Sequence, residues 1–203
     1  MTFPVLSDKK IYMKWLVLFL ALLTSILYPK TSTKKAVKVK TEIATLAGGC
    51  FWGMEELIRK IPGVIDTQVG YTGGDTPAPT YEVVKTGKTG HAESVQIEFD
   101  TSKTSFEEIL LNFFKMHDPT TTNRQGNDLG TQYRSAIFFH SPEQKETALK
   151  VIERVNKSGA WKKPAVTEVV QAKSFYPAEG YHQKYLVNNP GGYTCHFIRD
   201  LKF

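Results

Sequence analysis

The chain has 203 residues, enough for one well-buried domain and too few for two ordinary ones. Its 41% hydrophobic and 23% charged residues are those of a soluble globular protein. The net charge of +6 invites a nucleic-acid role, but residues 1–40 carry +7 and residues 41–203 sum to −1. The basic charge belongs to a tail ahead of a near-neutral body, which removes the main support for nucleic-acid binding.

Within that tail, Lys9, Lys10 and Lys14 lead into an apolar run from Trp15 to Leu23. The run continues to Leu27 and Tyr28, interrupted only by Thr24 and Ser25. A basic stretch before roughly 14 apolar residues fits a signal-peptide core better than a spanning helix of about 20. Residues 1–28 are therefore expected to be a signal peptide or membrane anchor, and 29–40 a solvated basic linker. Export follows, to a periplasmic or membrane-anchored location; without a working signal the protein would be cytoplasmic.

The folded domain is expected over 41–203. Residues 41–47 alternate polar and apolar like a half-buried strand and stop at Gly48-Gly49. Beyond Cys50, the residues Phe51, Met54, Leu57, Ile58 and Ile61 recur at helical spacing, with Pro62-Gly63 as the stop. Residues 64–71 read as a second strand, 72–80 as a Gly/Pro-rich loop and 94–99 as a third strand. Ser105 caps a helix with Glu108 three residues on, and Phe106, Ile109, Leu110, Phe113 and Phe114 line its apolar face. A polar loop over 117–132 precedes a strand at 135–140, a helix started by Ser141-Pro142 and a strand at 166–172. The order β-α-β-β-α-β-α-β predicts an α+β domain, a ferredoxin-like two-layer sandwich. Its helices pack on one mixed sheet, and the C-terminal tail is loop-rich.

Cys50 and Cys195 are the two cysteines. In an exported protein their plainest reading is one structural disulfide. Cys50, however, falls where two glycines turn the chain into a helix, so unpaired N–H groups and the positive end of the helix dipole point at it. A thiol with pKa about 8.5 is only about 3% thiolate at pH 7, and a shift to about 7 raises that fraction roughly fifteenfold. Helix-start placement thus predicts a reactive, low-pKa thiol. Phe51 and Trp52 cannot both face the core, so one is expected to wall the sulfur. His91-Ala92-Glu93 has the spacing of zinc deaminases, but no C-x-x-C supplies their other ligands. The five histidines and two cysteines show no regular metal spacing, and neither metal nor cofactor is expected. His182 and His196 have no assignable role. A binding module held by a permanent bridge, and a thiol peroxidase or exchange enzyme, remain open at this point.

The segment Gly48-Gly49-Cys50-Phe51-Trp52-Gly53 resembles the active-site signature of the methionine sulfoxide reductase A family. The resemblance continues through Gly70-Tyr71-Thr72-Gly73-Gly74, Pro79-Thr80-Tyr81, Gly90-His91-Ala92-Glu93 and His117-Asp118-Pro119. Arg124-Gln125-Gly126-Asn127-Asp128, Gly130-Thr131-Gln132-Tyr133-Arg134-Ser135 and Asn189-Pro190-Gly191-Gly192-Tyr193 complete it in the family's order. It implies that Cys50 attacks the sulfur of an S methionine sulfoxide, free or in an oxidised protein. Glu93 would supply the proton, with Tyr81 and Tyr133 donating hydrogen bonds to the oxygen. It further implies that Phe51 and Trp52 receive the methyl group and that Asp128 holds the substrate's backbone. The Cys50 sulfenic acid would be resolved by Cys195 to a disulfide, and a thioredoxin-like dithiol protein would recycle it. The protein is expected to act as a monomer.

Overall fold

The computed structural model describes residues 40–203; the expected leader at 1–28 and nearly all of the basic linker lie outside them. Among the described residues no helix is long and apolar enough to cross a membrane.

The first strand, β1 (Thr41–Gly48), turns at Gly49, whose φ of +102° favours glycine. Cys50 is the N-cap of α1 (Phe51–Ile58). The helical spacing reaches Ile61, but α1 ends at Ile58, because Lys60 and Ile61 close shorter turns onto Leu57 and Ile58. The next strands are β2 (Val64–Thr72) and β3 (Ala92–Asp100), joined through a short helix α2 (Tyr81–Val84). Helix α3 (Phe106–Met116) begins as expected, the Ser105 hydroxyl accepting from the Glu108 N–H at 3.2 Å. Two short strands, β4 (Arg124–Gln125) and β5 (Asp128–Leu129), form a hairpin. Then come β6 (Ser135–Phe139), α4 (Pro142–Ser158) and β7 (Glu168–Gln171). The tail adds β8 (Tyr176–Pro177) and α5 (Tyr185–Asn188).

The six-stranded sheet has the order β7-β6-β1-β3-β2-β8. β3 lies antiparallel between β1 and β2, and β1 lies antiparallel between β3 and β6. These are two interleaved β-α-β units, the ferredoxin-like arrangement predicted. α4 then returns the chain so that β7 pairs with β6 in parallel, which makes the sheet mixed.

One face of the sheet carries the main core. Leu46, Val69, Val95 and Ile97 meet Phe51, Met54 and Ile58 of α1, and Ile109, Leu110, Phe113 and Phe114 of α3. The other face holds a smaller cluster of Ala47, Ala92, Ala136 and Phe138. β1 is therefore buried on both faces over its last five residues, although its sequence alternates like a half-exposed strand.

The polar loop and the tail hold elements that periodicity cannot reveal. β8 has two residues and exists because Gly70 and Tyr71 of β2 offer an open edge. The β4–β5 hairpin turns on Gly126-Asn127, with Gly126 at φ +58°, where a type II′ turn needs a positive φ.

Candidate active site

Topology gathers the site at one edge of the sheet. β1 and β2 both end there, while β3 and β6, which run the other way, begin there. Cys50 follows β1, Glu93 is the second residue of β3 opposite Tyr71, and Tyr133 lies two residues before β6. Tyr81 opens α2, beyond the end of β2. Four candidates separated by up to 83 positions thus converge through strand pairing.

Glu93 is 2% exposed, and its Oε2 accepts the Phe51 N–H at 3.1 Å. That N–H belongs to the first residue of α1, beside Cys50. Burial is the main cause that raises the Glu93 carboxyl to about 8, against the lowering by this bond. Glu93 is therefore predominantly protonated at pH 7, and can donate.

Cys50 departs from the sequence expectation. Its thiol is pushed up rather than down, first by burial and then by the charge Glu93 would carry. A hydrogen bond from the Trp52 N–H to the sulfur opposes both, as an N-cap position allows, and does not prevail. The helix end offers a partial charge over an eight-residue helix, whereas desolvation acts on the whole thiolate charge. At pH 7 both Cys50 and Glu93 therefore rest in their neutral forms.

Of the paired aromatics, Phe51 is buried in the core and Trp52 is half-buried, as adjacent helical positions require. Trp52 stacks on Tyr185 with ring centroids 3.8 Å apart, and its Nε1–H donates to His182 Nδ1 at 2.9 Å. His182 also meets the rings of Phe51 at 5.0 Å and Tyr81 at 4.6 Å. Glu179 accepts from the Tyr81 N–H and the Tyr71 hydroxyl, each at 2.8 Å, and so fixes the start of α2. Tyr81 and Tyr133 are both half-buried, and burial followed by the Glu93 charge raises both phenols, which keeps them as donors.

Asp128, carried by the β4–β5 hairpin, accepts from the Tyr193 hydroxyl at 3.0 Å and from Cys195 Sγ at 3.1 Å. The Cys195 sulfur also receives a hydrogen bond from the Cys50 backbone, so the tail brings the second cysteine onto the first. Both thiols are free. His196 Nε2 lies 2.7 Å from the Gly48 carbonyl and anchors that tail. His182, Glu179 and His196 escaped sequence reasoning because each acts on a partner about 100 or more positions away, with no local period to mark it. Among the described residues no group of three or more His, Cys, Asp or Glu side chains is placed to hold a metal.

Every residue proposed from sequence for the chemistry therefore lies at or beside the N-terminus of α1. A neutral acid, two phenols, two thiols and an aromatic wall suit reduction of a small polar group attached to an apolar one. The family described as peptide methionine sulfoxide reductase matches residues 42–202. Peptide methionine sulfoxide reductase MsrA of Mycobacterium sp. (strain MCS) is 56% identical over 156 residues, 77% of this chain and 89% of that protein. The reduced form of Mxr1 from Saccharomyces cerevisiae superposes with a TM-score of 0.75 at 38% identity, over 82% of this chain and 98% of that one. Mxr1 in complex with Trx2 gives a TM-score of 0.55 at 26% identity, over 82% and 97%. The chain belongs to the peptide methionine sulfoxide reductase family, a family of oxidoreductases.

Proposed function

We propose that the protein reduces the S epimer of methionine sulfoxide, free or within oxidised proteins, with Cys50 as nucleophile and Glu93 as acid. The observation that carries this reading is the protonated Glu93, buried and bonded to the N–H next to Cys50. A sulfoxide is a poor electrophile until its oxygen is protonated. Glu93 gives its proton to that oxygen as the Cys50 sulfur attacks, and takes up the proton the thiol releases. Tyr81 and Tyr133 donate to the same oxygen. Phe51 and Trp52 receive the methyl group, and Asp128 exchanges its tail partners for the substrate's backbone. Fixed sites for oxygen, methyl and thiol select one hand of the sulfoxide, the S form by family resemblance.

Methionine leaves, and Cys50 becomes a sulfenic acid. Cys195 condenses with it, releasing water and forming the Cys50–Cys195 disulfide. A thioredoxin-like dithiol then reduces that disulfide; the complex of the related Mxr1 with Trx2 supports this class of donor. We assign the protein as a monomer. We propose that residues 1–28 direct export or anchor it in a membrane, and fractionation of cells should then find it outside the cytosol; an all-cytosolic protein would refute that assignment.

The deciding experiment supplies resolved R and S methionine sulfoxide diastereomers with dithiothreitol as reductant. Only the S form is expected to be consumed, and Cys50→Ser should consume neither. Turnover by Cys50→Ser, or preference for the R form, overturns the reading.

A further inference from the structure

The segment after Tyr193 lies against the first turn of α1 and holds His196 beside the Cys195 sulfur. His196 is 6% exposed. Its Nε2 is 2.7 Å from the Gly48 carbonyl oxygen. A carbonyl can only accept, so Nε2 carries the ring proton. In the neutral ring Nδ1 is then a bare acceptor, and it lies 3.5 Å from Sγ of Cys195. The glycines around Cys50 make room for this ring. A Cβ at Gly53 would stand 2.6 Å from Nδ1 of His196, and one at Gly49 would stand 3.1 Å from Cε1.

We propose that His196 is the general base of the resolving step; this rests on the assignment of Cys195 as the resolving thiol. Cys195 gives its proton to Nδ1, and its electron pair forms the S–S bond to Cys50. The S–O bond of the Cys50 sulfenic acid breaks, and the departing hydroxide takes the Glu93 proton and leaves as water. The imidazolium then releases its proton to solvent, and Glu93 regains one. The sulfenic sulfur is reduced and the thiol sulfur oxidised, both to the disulfide level.

Asp128 is the competing acceptor, since its Oδ2 holds the resting thiol at 3.1 Å. An imidazole is ordinarily about 2.5 pKa units more basic than an aspartate; burial lowers that of His196, and the bond to Gly48 and the charge of Asp128 oppose the lowering. Asp128 therefore parks the thiol and steadies the charged ring, while His196 takes the proton. The groups that face His196 are Asp128 from the hairpin, Arg199 from its own segment, His117 beyond α3, and the Cys195 thiol.

The test uses one turnover without reductant, following methionine release and thiol loss separately. In His196→Gln the side-chain amide can still donate to Gly48, but no base remains at the Nδ1 position. This variant should release one methionine per site and then form the disulfide about tenfold or more slowly, with the sulfenic acid trapped by dimedone. Wild-type disulfide formation should slow as pH falls below about 6.5, as the imidazole, which burial holds below its ordinary value, protonates, and the variant should be flat there. Closure at the wild-type rate in His196→Gln overturns the proposal. Should the variant not fold, a flat wild-type profile over the same range overturns it, and a falling one supports it. Asp128→Asn serves as the comparison: a slowed closure there with none in His196→Gln assigns the base to Asp128 instead. Cys195→Ser tests the underlying assignment separately, because a sulfenic acid that does not accumulate there would remove Cys195 from the cycle altogether.

Discussion

At the scale of single residues, the proposed chemistry turns on two groups that burial holds neutral. Cys50 is raised by burial and by the charge of its neighbour, and Glu93 is raised to about 8 by burial. Each is thus poised to pass a proton rather than to hold a charge, and in the proposed first step the sulfoxide oxygen receives it. Glu93→Gln removes the transferable proton and, after burial, the largest upward push on Cys50. The first step should slow by about 10²- to 10⁴-fold. The pH at which iodoacetamide begins to alkylate Cys50 should fall. An alkylation profile identical to that of the wild type would mean that the carboxyl and the thiol do not sense each other.

At the scale of elements, α1 presents Cys50 at its start and holds the tail through its middle. Glu55 is 1% exposed and accepts from the Thr67 hydroxyl at 3.0 Å and the Lys184 N–H at 2.8 Å. Lys184 Nζ lies 3.3 Å from the same carboxylate. Lys184 itself sits at φ +52°, a conformation this set of bonds holds in place. Just beside it, His182 and Tyr185 are delivered to Trp52. Glu55→Ala strands these donors and should cost about 3 kcal/mol in urea unfolding. It should also raise KM, since the Trp52 wall loses its backing. A stability loss below about 0.5 kcal/mol would show that the tether carries no weight. Ser105→Ala, by contrast, removes a single exposed cap and should cost only about 1 kcal/mol with kinetics unchanged.

At the scale of the molecule, two buried groups set opposite limits on stability. Glu93 has a folded pKa above its unfolded value, so stability falls as pH rises from about 4.5 to about 8, where only the unfolded chain readily ionises it. His117 is fully buried between the Phe113 carbonyl and the Ser135 hydroxyl, and burial lowers it to about 3. Stability therefore falls as pH drops below about 6.5, where the unfolded chain takes up a proton that the folded one refuses. Thermal unfolding should show its highest Tm between about pH 5 and 7, and Glu93→Gln should flatten the alkaline side. An unchanged alkaline slope in that variant would place the penalty on another group. The long elements were legible because their own residues dictate them. Ser105 and Ser141 cap helices, apolar residues recur every three or four positions along α3, and β3 alternates. The order of those elements predicts the interleaved sheet, and the motif around Cys50, with Glu93, Tyr81 and Tyr133, marks the chemistry. What the sequence by itself determined was therefore the sandwich and the family of the reaction, because local propensity and ordered motifs reside in neighbouring residues. Only the tertiary structure decided that Cys50 rests as a thiol, since desolvation depends on what covers it. It alone brought Asp128 to Cys195, and the Cys195-His196 pair to the start of α1, because the contacts that hold the tail cross the whole fold.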